Sequence, residues 1–405
     1  MSGAVAPQDE AGVAAAVAEA FAAGAPLEIM GAGSKRGLLR PVQAARALTT
    51  RALTGITLYS PHELVISARA GTPLAEIEAA VAEHGQQIIA EPPDLGPLLG
   101  SEAARTLGQT LGGVVATNLS GPRRVAWGAM RDHVLGVRAV NGRGEVLHSG
   151  GRVLKNVTGL DLCKLLSGSH GTLAVITEIT LKVLPAPPAT GTVVLDGLSA
   201  EQGVAALAAA LGSPYGVSAA AYLPSGAVGQ LAGLAASATL ARIEDIASSV
   251  TYRTTRLAET LEAFGRPRIL DDATSRALWR SVRDAVPLRN GNGNAALWRV
   301  SVRPSAGPAV AQAVSAAFDA RWFLDWGGGL VWIAGPATEA AHTAVVAAAQ
   351  AGGGTWMLLR APDGLRAAAT VIPEEPAALA RITRAVKAAL DPKGILNPGR
   401  MYVGV

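Results

Sequence analysis

The chain has 405 residues, of which 49% are hydrophobic and only 16% are charged. This composition excludes a disordered protein, and the length favours two domains, since domains usually have ~100–200 residues. The net charge of +4 comes from 35 basic and 31 acidic residues without a long basic run. A nucleic-acid surface is therefore excluded, and a basic pocket for an anion is favoured. No stretch approaches the ~20 apolar residues of a membrane span, and no secretion signal is recognisable at the start, so we expect a cytoplasmic protein.

Cysteine usage limits the redox chemistry of the chain. Cys163 is the single cysteine, so an internal disulfide and a cysteine-ligated iron–sulfur cluster are both excluded. Any iron–sulfur centre must then belong to another chain. Cys163 follows Leu162 in a segment that is typical of a packed core, and we expect a buried, inert thiol rather than a reactive one.

The first half alternates helical and strand-like segments. In chain order the pattern first predicts a helix over residues 7–23, strands over 27–30 and 64–70, and an amphipathic helix over 74–84 with Gly85 as its cap. It then predicts strands over residues 134–140 and 145–148, joined by an Asn-Gly hairpin, and a strand over 173–184. Three prolines in residues 185–188 then favour a stiff connector. We place a domain boundary near residue 188.

The second half also alternates between predicted strands and predicted helices. Strands are expected over residues 192–195, 217–222, 237–244, 295–302 and 355–359, and helices over 200–211, 246–264, 309–318, 339–350 and 376–390. Residues 323–333 are expected to form two strands that meet at a glycine turn. The pattern favours an α+β layer in which helices cover an antiparallel sheet.

The turn after the first strand is the first candidate binding site. It consists of Gly31, Ala32, Gly33, Ser34 and Lys35. Glycines allow a tight turn whose N–H groups converge on an anion, to which the serine and lysine add donors. The segment fits neither the Walker pattern nor the G-x-G-x-x-G pattern, because position 36 is arginine. Taken alone, it is equally an ordinary glycine turn.

Two further segments combine glycines with hydrogen-bonding groups. The first contains Thr110, Leu111, Gly112, Gly113, Ala116, Thr117 and Asn118, and the second contains Gly168, Gly171, Thr172, Leu173, Val175 and Ile176. Glycines let a ligand lie against the backbone. The alternatives are a small-residue packing site for the first segment and an ordinary turn and strand for the second.

Together and in this order, the three segments resemble the vanillyl-alcohol-oxidase-type, or PCMH-type, FAD-binding domain. They correspond there to a pyrophosphate loop, a Gly-Gly ligand strand and a G-S-x-G-T-L strand, over roughly residues 1–188. Residues 27–41, 61–77, 120–124, 131–136, 155–159, 325–332 and 390–402 are similar to the FAD-binding E subunits of glycolate oxidases. The resemblance implies a two-lobed FAD-binding domain over residues 1–188, an α+β substrate, cap or partner-binding domain over 189–390, and a C-terminal segment over 391–405 that returns to the flavin.

The resemblance also implies the chemistry of the site. FAD would contact the three segments together with Pro93, Gly121 and Asn397, although the Asn397 segment is equally a turn that only packs the tail. The implied function is oxidation of glycolate, a 2-hydroxy acid, together with a homologous flavin subunit and an iron–sulfur subunit, in the cytoplasm or peripherally at the inner membrane face through those partners. The alternatives are a non-catalytic or structural FAD-binding partner and a stand-alone FAD-dependent hydroxy-acid or alcohol dehydrogenase.

Differences from relatives refine these expectations. Residues 28–41 contain no His or Cys, the residues that attach FAD covalently in some relatives, so we expect non-covalent FAD. The second half lacks the H-x-G-D-G-N-x-H motif of metal-assisted relatives and has only His342, so no metal site is expected. Leu160 stands where relatives commonly carry tyrosine. His133 and His170 are interpreted as structural, and no catalytic base is assigned.

Overall fold

The computed structural model describes residues 4–99, 108–151, 160–228, 231, 234, 236–289 and 295–403; the motif at residues 155–159 lies outside them. The chain divides into two compact units. The first unit comprises Met1–Leu119, Ala129–Ala186 and Glu374–Val405, and the second comprises Ser120–Gly128 and Pro187–Pro373. This division departs from the limits expected from the sequence in two places, since Ser120–Gly128 belongs to the second unit and the first unit resumes at Glu374.

The described part of the chain contains helices of four to fifteen residues. In chain order they are α1 (Glu10–Ala23), α2 (Leu74–Ala82), α3 (Gly96–Leu99), α4 (Leu111–Thr117), α5 (Arg124–Trp127), α6 (Leu162–Leu166), α7 (Ala200–Gly212), α8 (Ser225–Val228), α9 (Ala247–Leu261), α10 (Asp272–Arg283), α11 (Gly307–Ala317), α12 (Glu339–Ala351), α13 (Asp363–Ala368) and α14 (Ala377–Leu390). None of these helices combines the length and the apolar character needed to cross a bilayer.

The strands of the same residues form four sheets. In chain order they are β1 (Leu27–Met30), β2 (Arg46–Thr49), β3 (Ile56–Ser60), β4 (Val65–Arg69), β5 (Gln86–Gln87), β6 (Val134–Asn141), β7 (Val146–Gly150), β8 (Ala174–Lys182), β9 (Leu184–Pro185), β10 (Ala189–Asp196), β11 (Val217–Leu223), β12 (Ala238–Asp245), β13 (Pro267–Leu270), β14 (Ala296–Ser301), β15 (Arg321–Asp325), β16 (Leu330–Gly335) and β17 (Thr355–Arg360).

The first unit has two lobes with separate hydrophobic cores. Its main sheet is antiparallel with the order β3-β4-β8-β6-β7, and β1 and β2 form a parallel pair. Successive residues of a strand point to opposite faces, and β8 uses both faces. Ala174 and Ile176 belong to the core around α2 and α4, whereas Val175 belongs to the core around α1, β1 and the C-terminal residues Ile395 and Leu396. The sheet therefore joins the two lobes.

The β6–β7 hairpin confirms the Asn-Gly prediction, with a different role for each residue. Asn141 Oδ1 accepts hydrogen bonds from the amides of Arg143 at 2.9 Å and Glu145 at 3.0 Å. Gly144 takes the left-handed conformation with a φ of 85°, which is typical of a three-residue loop. Gly142 is required by space, because a Cβ there would lie 2.7 Å from Asp391 Cα.

The second unit contains the predicted antiparallel sheet. Its eight strands have the order β13-β10-β12-β11-β15-β16-β14-β17, and every residue of β11 and β16 is buried. The expected turn between β15 and β16 is present at Trp326–Gly328. The fold class predicted from the sequence, a PCMH-type α+β protein, is confirmed by the solved structures described below.

A buried ion-pair network stabilises the second unit. Arg123 donates to both carboxylate oxygens of Glu244, at 2.7 and 3.0 Å, and Arg242 Nε lies 3.4 Å from Glu244 Oε2. Burial alone would raise the pKa of Glu244, but Arg242 and Arg123 outweigh it and lower that pKa to about 2. The carboxylate therefore stays charged at neutral pH and links residues 120–128 to β12.

Candidate functional site

A glycine-rich loop leaves β1 at the end of the β1–β2 pair. Arg36 N donates to Gly33 O at 3.2 Å, and Gly33 has a left-handed φ of 80°, so the loop turns tightly. Thr49 Oγ1 donates to Gly31 O at 2.8 Å and attaches the loop to β2. The backbone amides of residues 32–35 and the Ser34 hydroxyl have no partner among the described residues. A run of unused N–H groups in a turn forms an anion-binding concavity.

The Gly-Gly segment forms helix α4, so the expectation of a strand there is wrong. Two amides at the start of the helix donate hydrogen bonds to residues that follow β4. Gly112 N donates to Ala70 O at 2.8 Å, and Leu111 N donates to Thr72 O at 3.0 Å. Asn118 ends the helix with a left-handed φ of 49°. A Cβ on Gly112 would lie 2.8 Å from Ala70 Cβ. This glycine therefore allows close packing of α4 on the sheet.

The second glycine of the pair faces the loop. A Cβ on Gly113 would approach Thr110 Oγ1 at 3.3 Å, and a Cβ on Gly31 would overlap the same hydroxyl. Thr117 Oγ1 donates back to Gly113 O at 2.8 Å. These small residues keep a cleft open between α4 and the loop, where a ligand can approach the backbone.

The third segment closes the cleft with a turn and the start of β8. The amides of Gly168 and His170 donate to the end of α4, at Val115 O (3.1 Å) and Ala116 O (2.8 Å). Gly168, His170 and Gly171 have left-handed φ angles of 88°, 52° and 72°, a conformation that is costly for a histidine. The turn therefore holds the beginning of β8 against α4.

The C-terminal segment positions the cleft wall through Asn397. Its Oδ1 accepts from Ile29 N at 2.7 Å, and its Nδ2 donates to His170 O at 2.8 Å and to Ile29 O at 3.3 Å. Asn397 thus lines the cleft while its side chain joins β1 to the turn before β8. Its hydrogen bonds are made to protein backbone, which supports a positioning role.

Arg400 holds the glycine-rich loop through hydrogen bonds to its carbonyl groups. Its Nη2 donates to Lys35 O at 3.0 Å, and its Nη1 donates to Arg36 O and Arg40 O, both at 3.1 Å. A guanidinium that binds three carbonyls fixes the path of the loop.

The cleft is lined by more positive than negative side chains. Lys35 Nζ donates to Gln109 Oε1 at 2.9 Å, and burial lowers the pKa of Lys35 to about 8, against an opposing effect of Asp94. Arg36 pairs with Glu28 at the rim, with Nε 2.7 Å from Oε1. Burial and the charge of Arg400 lower the pKa of His170 to about 3, so this imidazole is neutral. The cleft therefore favours an anion.

Most of the residues predicted to bind the cofactor meet in this cleft. Those that line it are Gly31, Ala32, Gly33, Ser34, Lys35, Thr110, Gly112, Gly113, Ala116, Thr117, Gly171, Ile176 and Asn397. The non-atom space of the cleft amounts to about 740 Å³ when its open mouth is included.

The remaining predicted residues lie elsewhere. Leu111 and Val175 are buried in the two cores, because α4 and β8 turn these side chains away from the cleft. Gly121 belongs to the second unit. Gly168, Thr172 and Leu173 line a groove beside α14, and Pro93 is buried outside the cleft lining.

Sequence reasoning missed several lining residues. They are Glu28, Ile29, Met30, Arg36, Thr50, Ala174 and Arg400, and His170 was interpreted only as structural. The strand residues carry no motif of their own. Arg400 lies within the C-terminal segment of the resemblance, and residues 28–30 and 36 lie within its 27–41 segment, so the resemblance was the available signal.

Residues outside the cleft agree with structural roles. His342 is buried, and its Nδ1 accepts from Trp298 Nε1 at 3.1 Å, so it is a core histidine. Cys163 is buried as predicted, and burial raises the pKa of its thiol. Leu160 is 82% exposed. The described residues contain no group of three potential metal ligands.

Comparison with known proteins places the chain in a family. Residues 1–150 match the model of an FAD binding domain, and residues 363–401 match the C-terminal domain of FAD linked oxidases. The glycolate oxidase subunit GlcE of Escherichia coli is 35% identical over 378 residues, which are 93% of each chain. The chain belongs to the FAD-linked oxidase family. This FAD-linked oxidase is accordingly a flavoprotein oxidoreductase with FAD as its cofactor.

Further comparisons support the fold of this FAD-linked oxidase. A D-lactate dehydrogenase of Archaeoglobus fulgidus is 34% identical over 145 residues, which are 36% of this chain and 30% of the relative. The solved structure of p-cresol methylhydroxylase with bound substrate has a TM-score of 0.74 at 14% identity, covering 99% of this chain and 88% of the other. An alkyldihydroxyacetonephosphate synthase has a TM-score of 0.69 at 19% identity, covering 97% and 75%.

The cleft of this FAD-linked oxidase fits a flavin dinucleotide. The unused amides of residues 32–35 and the Ser34 hydroxyl match a diphosphate, which is an anion with many acceptor oxygens. Gly113 leaves room where a side chain would narrow the cleft. Ala174 and Ile176 add an apolar wall. The residues present therefore suit the cofactor of the family.

Proposed function

We propose that the chain is the FAD-binding subunit of a heteromeric oxidase that converts glycolate, a small 2-hydroxy acid, to glyoxylate. The similarity to GlcE over 93% of both chains carries this proposal. The partners would be a homologous flavin subunit and an iron–sulfur subunit, with the complex in the cytoplasm or at the inner membrane face through those partners. The single cysteine supports a separate iron–sulfur chain, because cluster ligation needs several thiolates.

The chain's own residues bind and orient the cofactor in this proposal. The amides of residues 32–35, the Ser34 hydroxyl and the Lys35 ammonium hold the diphosphate, while Asn397 and Arg400 keep the loop and the β8 turn in place. When bound, FAD supplies the capacity to take two electrons from a CH–OH group. The protein supplies a preformed site, which limits the entropy lost on binding.

Purification of the tagged chain from its native cell tests the proposal. We expect a yellow complex with about one non-covalent FAD per copy of this chain beyond the flavin of the partner, together with iron and acid-labile sulfide that copurify. Acid precipitation should release the flavin that belongs to this chain. A colourless, folded chain that takes up no FAD, or a flavoprotein without iron that oxidises glycolate at full rate alone, would contradict it.

A pair of glycine variants tests whether the FAD of the purified chain is bound in the cleft. Gly113→Val adds branches where a Cβ already approaches Thr110 at 3.3 Å, and we expect at least tenfold weaker FAD binding. Gly212→Val is the matched control, because a Cβ on Gly212 meets nothing within 4 Å. Equal FAD affinity of the two variants would place the cofactor elsewhere.

A further inference from the structure

The second unit contains an arginine without a counter-ion. Arg299 lies in β14, between β16 and β17. Its guanidinium carbon is 4.9 Å from the ring centroid of Trp332 and 5.2 Å from that of Trp326. No hydrogen bond or ion pair joins the Arg299 side chain to another described residue. The guanidinium therefore lies against aromatic faces without a direct acceptor.

These contacts leave hydrogen-bond donors unused. An arginine has five N–H groups, and indole faces attract its charge but accept none of these bonds in the usual geometry. Arg299 Nε and Trp332 Nε1 are both buried without an acceptor. A buried donor without an acceptor is destabilising, and more so when it is charged, so a site of this kind calls for an acceptor.

The local electrostatics also favour an added anion. Burial and, to a smaller extent, the nearby Arg124 lower the pKa of Arg299 to about 10, against an opposing effect of Asp325. Arg124 lies over Trp326 as well, with its guanidinium carbon 4.5 Å from the ring centroid. Two guanidinium groups thus contact one indole. A negative ligand would relieve the cost of holding the Arg299 charge in this position.

The backbone around Trp326 is strained in a way that maintains the cluster. Trp326 has a left-handed φ of 53°, which is an unfavourable conformation for a residue with a side chain. Asp325 Oδ1 accepts from the Trp326 amide at 2.7 Å, and Trp326 Nε1 donates to Gly121 O at 3.1 Å. These bonds fix the indole over Arg299. Strain of this kind is concentrated at ligand sites.

We infer that Arg299, with Trp326 and Trp332, binds the carboxylate of a small organic acid. A carboxylate matches the planar fork of a guanidinium and accepts two parallel hydrogen bonds from it. Arg299 is half-buried as a residue, and its Nε is a buried donor without a partner while its two outer nitrogens are not among the buried ones, so a ligand would bind at the outer nitrogens. This inference rests on the proposed function in one respect, since a 2-hydroxy acid carries the required carboxylate.

Binding of oxalate, a carboxylate that resembles a hydroxy acid, tests the inference on the full FAD-loaded chain. Calorimetry should show saturable binding by the wild type and at least tenfold weaker binding by Arg299→Gln. Arg299→Lys keeps the charge without the fork and should lie between the two. Arg256→Gln, a change at an exposed arginine of α9, should bind oxalate as the wild type does.

Each outcome decides the inference. It is overturned if wild type fails to bind oxalate, if Arg299→Gln binds it as tightly as wild type, or if inorganic phosphate competes equally, which would show an unspecific anion site. Thermal melts and flavin content establish whether the variants fold. If Arg299→Gln does not fold, the oxalate affinity of Arg299→Lys is compared with that of the wild type instead. Failure of the proposed function is distinguishable, because it would appear as missing partners and no oxidation of glycolate while the FAD-loaded chain still binds oxalate.

Discussion

Lys35 links the proposed diphosphate site to pH. Its ammonium is held by Gln109 at 2.9 Å within the cleft, and burial lowers its pKa from 10.5 to about 8, against an opposing effect of Asp94. In the free protein, the side chain therefore loses its proton as the pH rises through about 8. A bound diphosphate favours the charged form, so FAD binding above this pH must take up a proton.

We predict that FAD affinity is constant below pH 8 and falls as the pH rises above it. Lys35→Met should weaken binding at pH 7 at least tenfold, since a hydrogen bond to a charged group contributes ~1.5–3 kcal/mol, and it should remove the pH dependence. Titrations of flavin fluorescence between pH 6 and 9.5 measure both effects. Lys393→Met, a change at an exposed lysine, is the control. A pH profile that Lys35→Met leaves unchanged would contradict the prediction.

At the residue scale, the sequence predicted the glycines better than the polar side chains. Gly31 and Gly113 could be predicted from the sequence because each stands where a side chain would crowd Thr110, and glycine at such positions is visible in the sequence. Asn397 joins residues 29 and 170, and such distant partners leave no spacing in the sequence. Its assignment as a cofactor contact therefore remains a prediction beside the positioning role that its bonds support.

Helix α14 is unusual because its one buried residue is a lysine. Lys387 Nζ donates to Thr172 O at 2.7 Å, Asp391 Oδ2 at 2.8 Å and Leu396 O at 3.0 Å. Asp391 in turn accepts from the amides of Ile395 and Leu396. One buried ion pair therefore joins the helix, the turn before β8 and the C-terminal segment.

We predict that Lys387→Met lowers the free energy of unfolding of the first unit by ~3–5 kcal/mol, because it leaves the Asp391 carboxylate buried without its cation. The double change Lys387→Met with Asp391→Asn should recover part of this loss. Lys393→Met, a change at an exposed lysine, should alter the free energy of unfolding by less than about 1 kcal/mol. Denaturant unfolding followed by circular dichroism measures all three. Equal stability of Lys387→Met and wild type would refute the role.

Element prediction succeeded where periodicity and turn signals agreed. The β6–β7 hairpin and the β15–β16 turn fall in this class. Helix α4 was misassigned, since its glycine-rich and β-branched residues have low helix propensity and its start depends on hydrogen bonds to the chain after β4. Helix α10 received no assignment, although Asp271 caps it at Thr274 and Leu278, Trp279 and Val282 form its buried face; its many polar residues masked the pattern.

On the scale of the whole molecule, the chain passes repeatedly between its two units. The first unit draws on three segments, and its last segment begins at Glu374. Ile395 and Leu396 belong to the core around α1 and β1, and Leu27 N donates to Ile395 O at 2.8 Å. A division of the gene at residue 188 would therefore separate parts of one core.

We predict that residues 1–188 alone do not bind FAD or fold stably, because they lack Ile395, Asn397 and Arg400. A chain that joins residues 1–188 to residues 374–405 through a flexible linker should recover FAD affinity within about tenfold of the full chain. Thermal melts and flavin titrations compare the two forms. Full affinity of residues 1–188 alone would show that the C-terminal segment is dispensable.

The cleft wall built by residues 28–36 and 397–400 also sets the timing of cofactor loading. Ribosomes add ~5–20 residues per second, so roughly 20–80 s separate synthesis of the glycine-rich loop from synthesis of Arg400. During that interval the nascent chain has β1 without its C-terminal partners. We therefore expect flavin insertion to follow synthesis of the last segment, which completes the cleft wall.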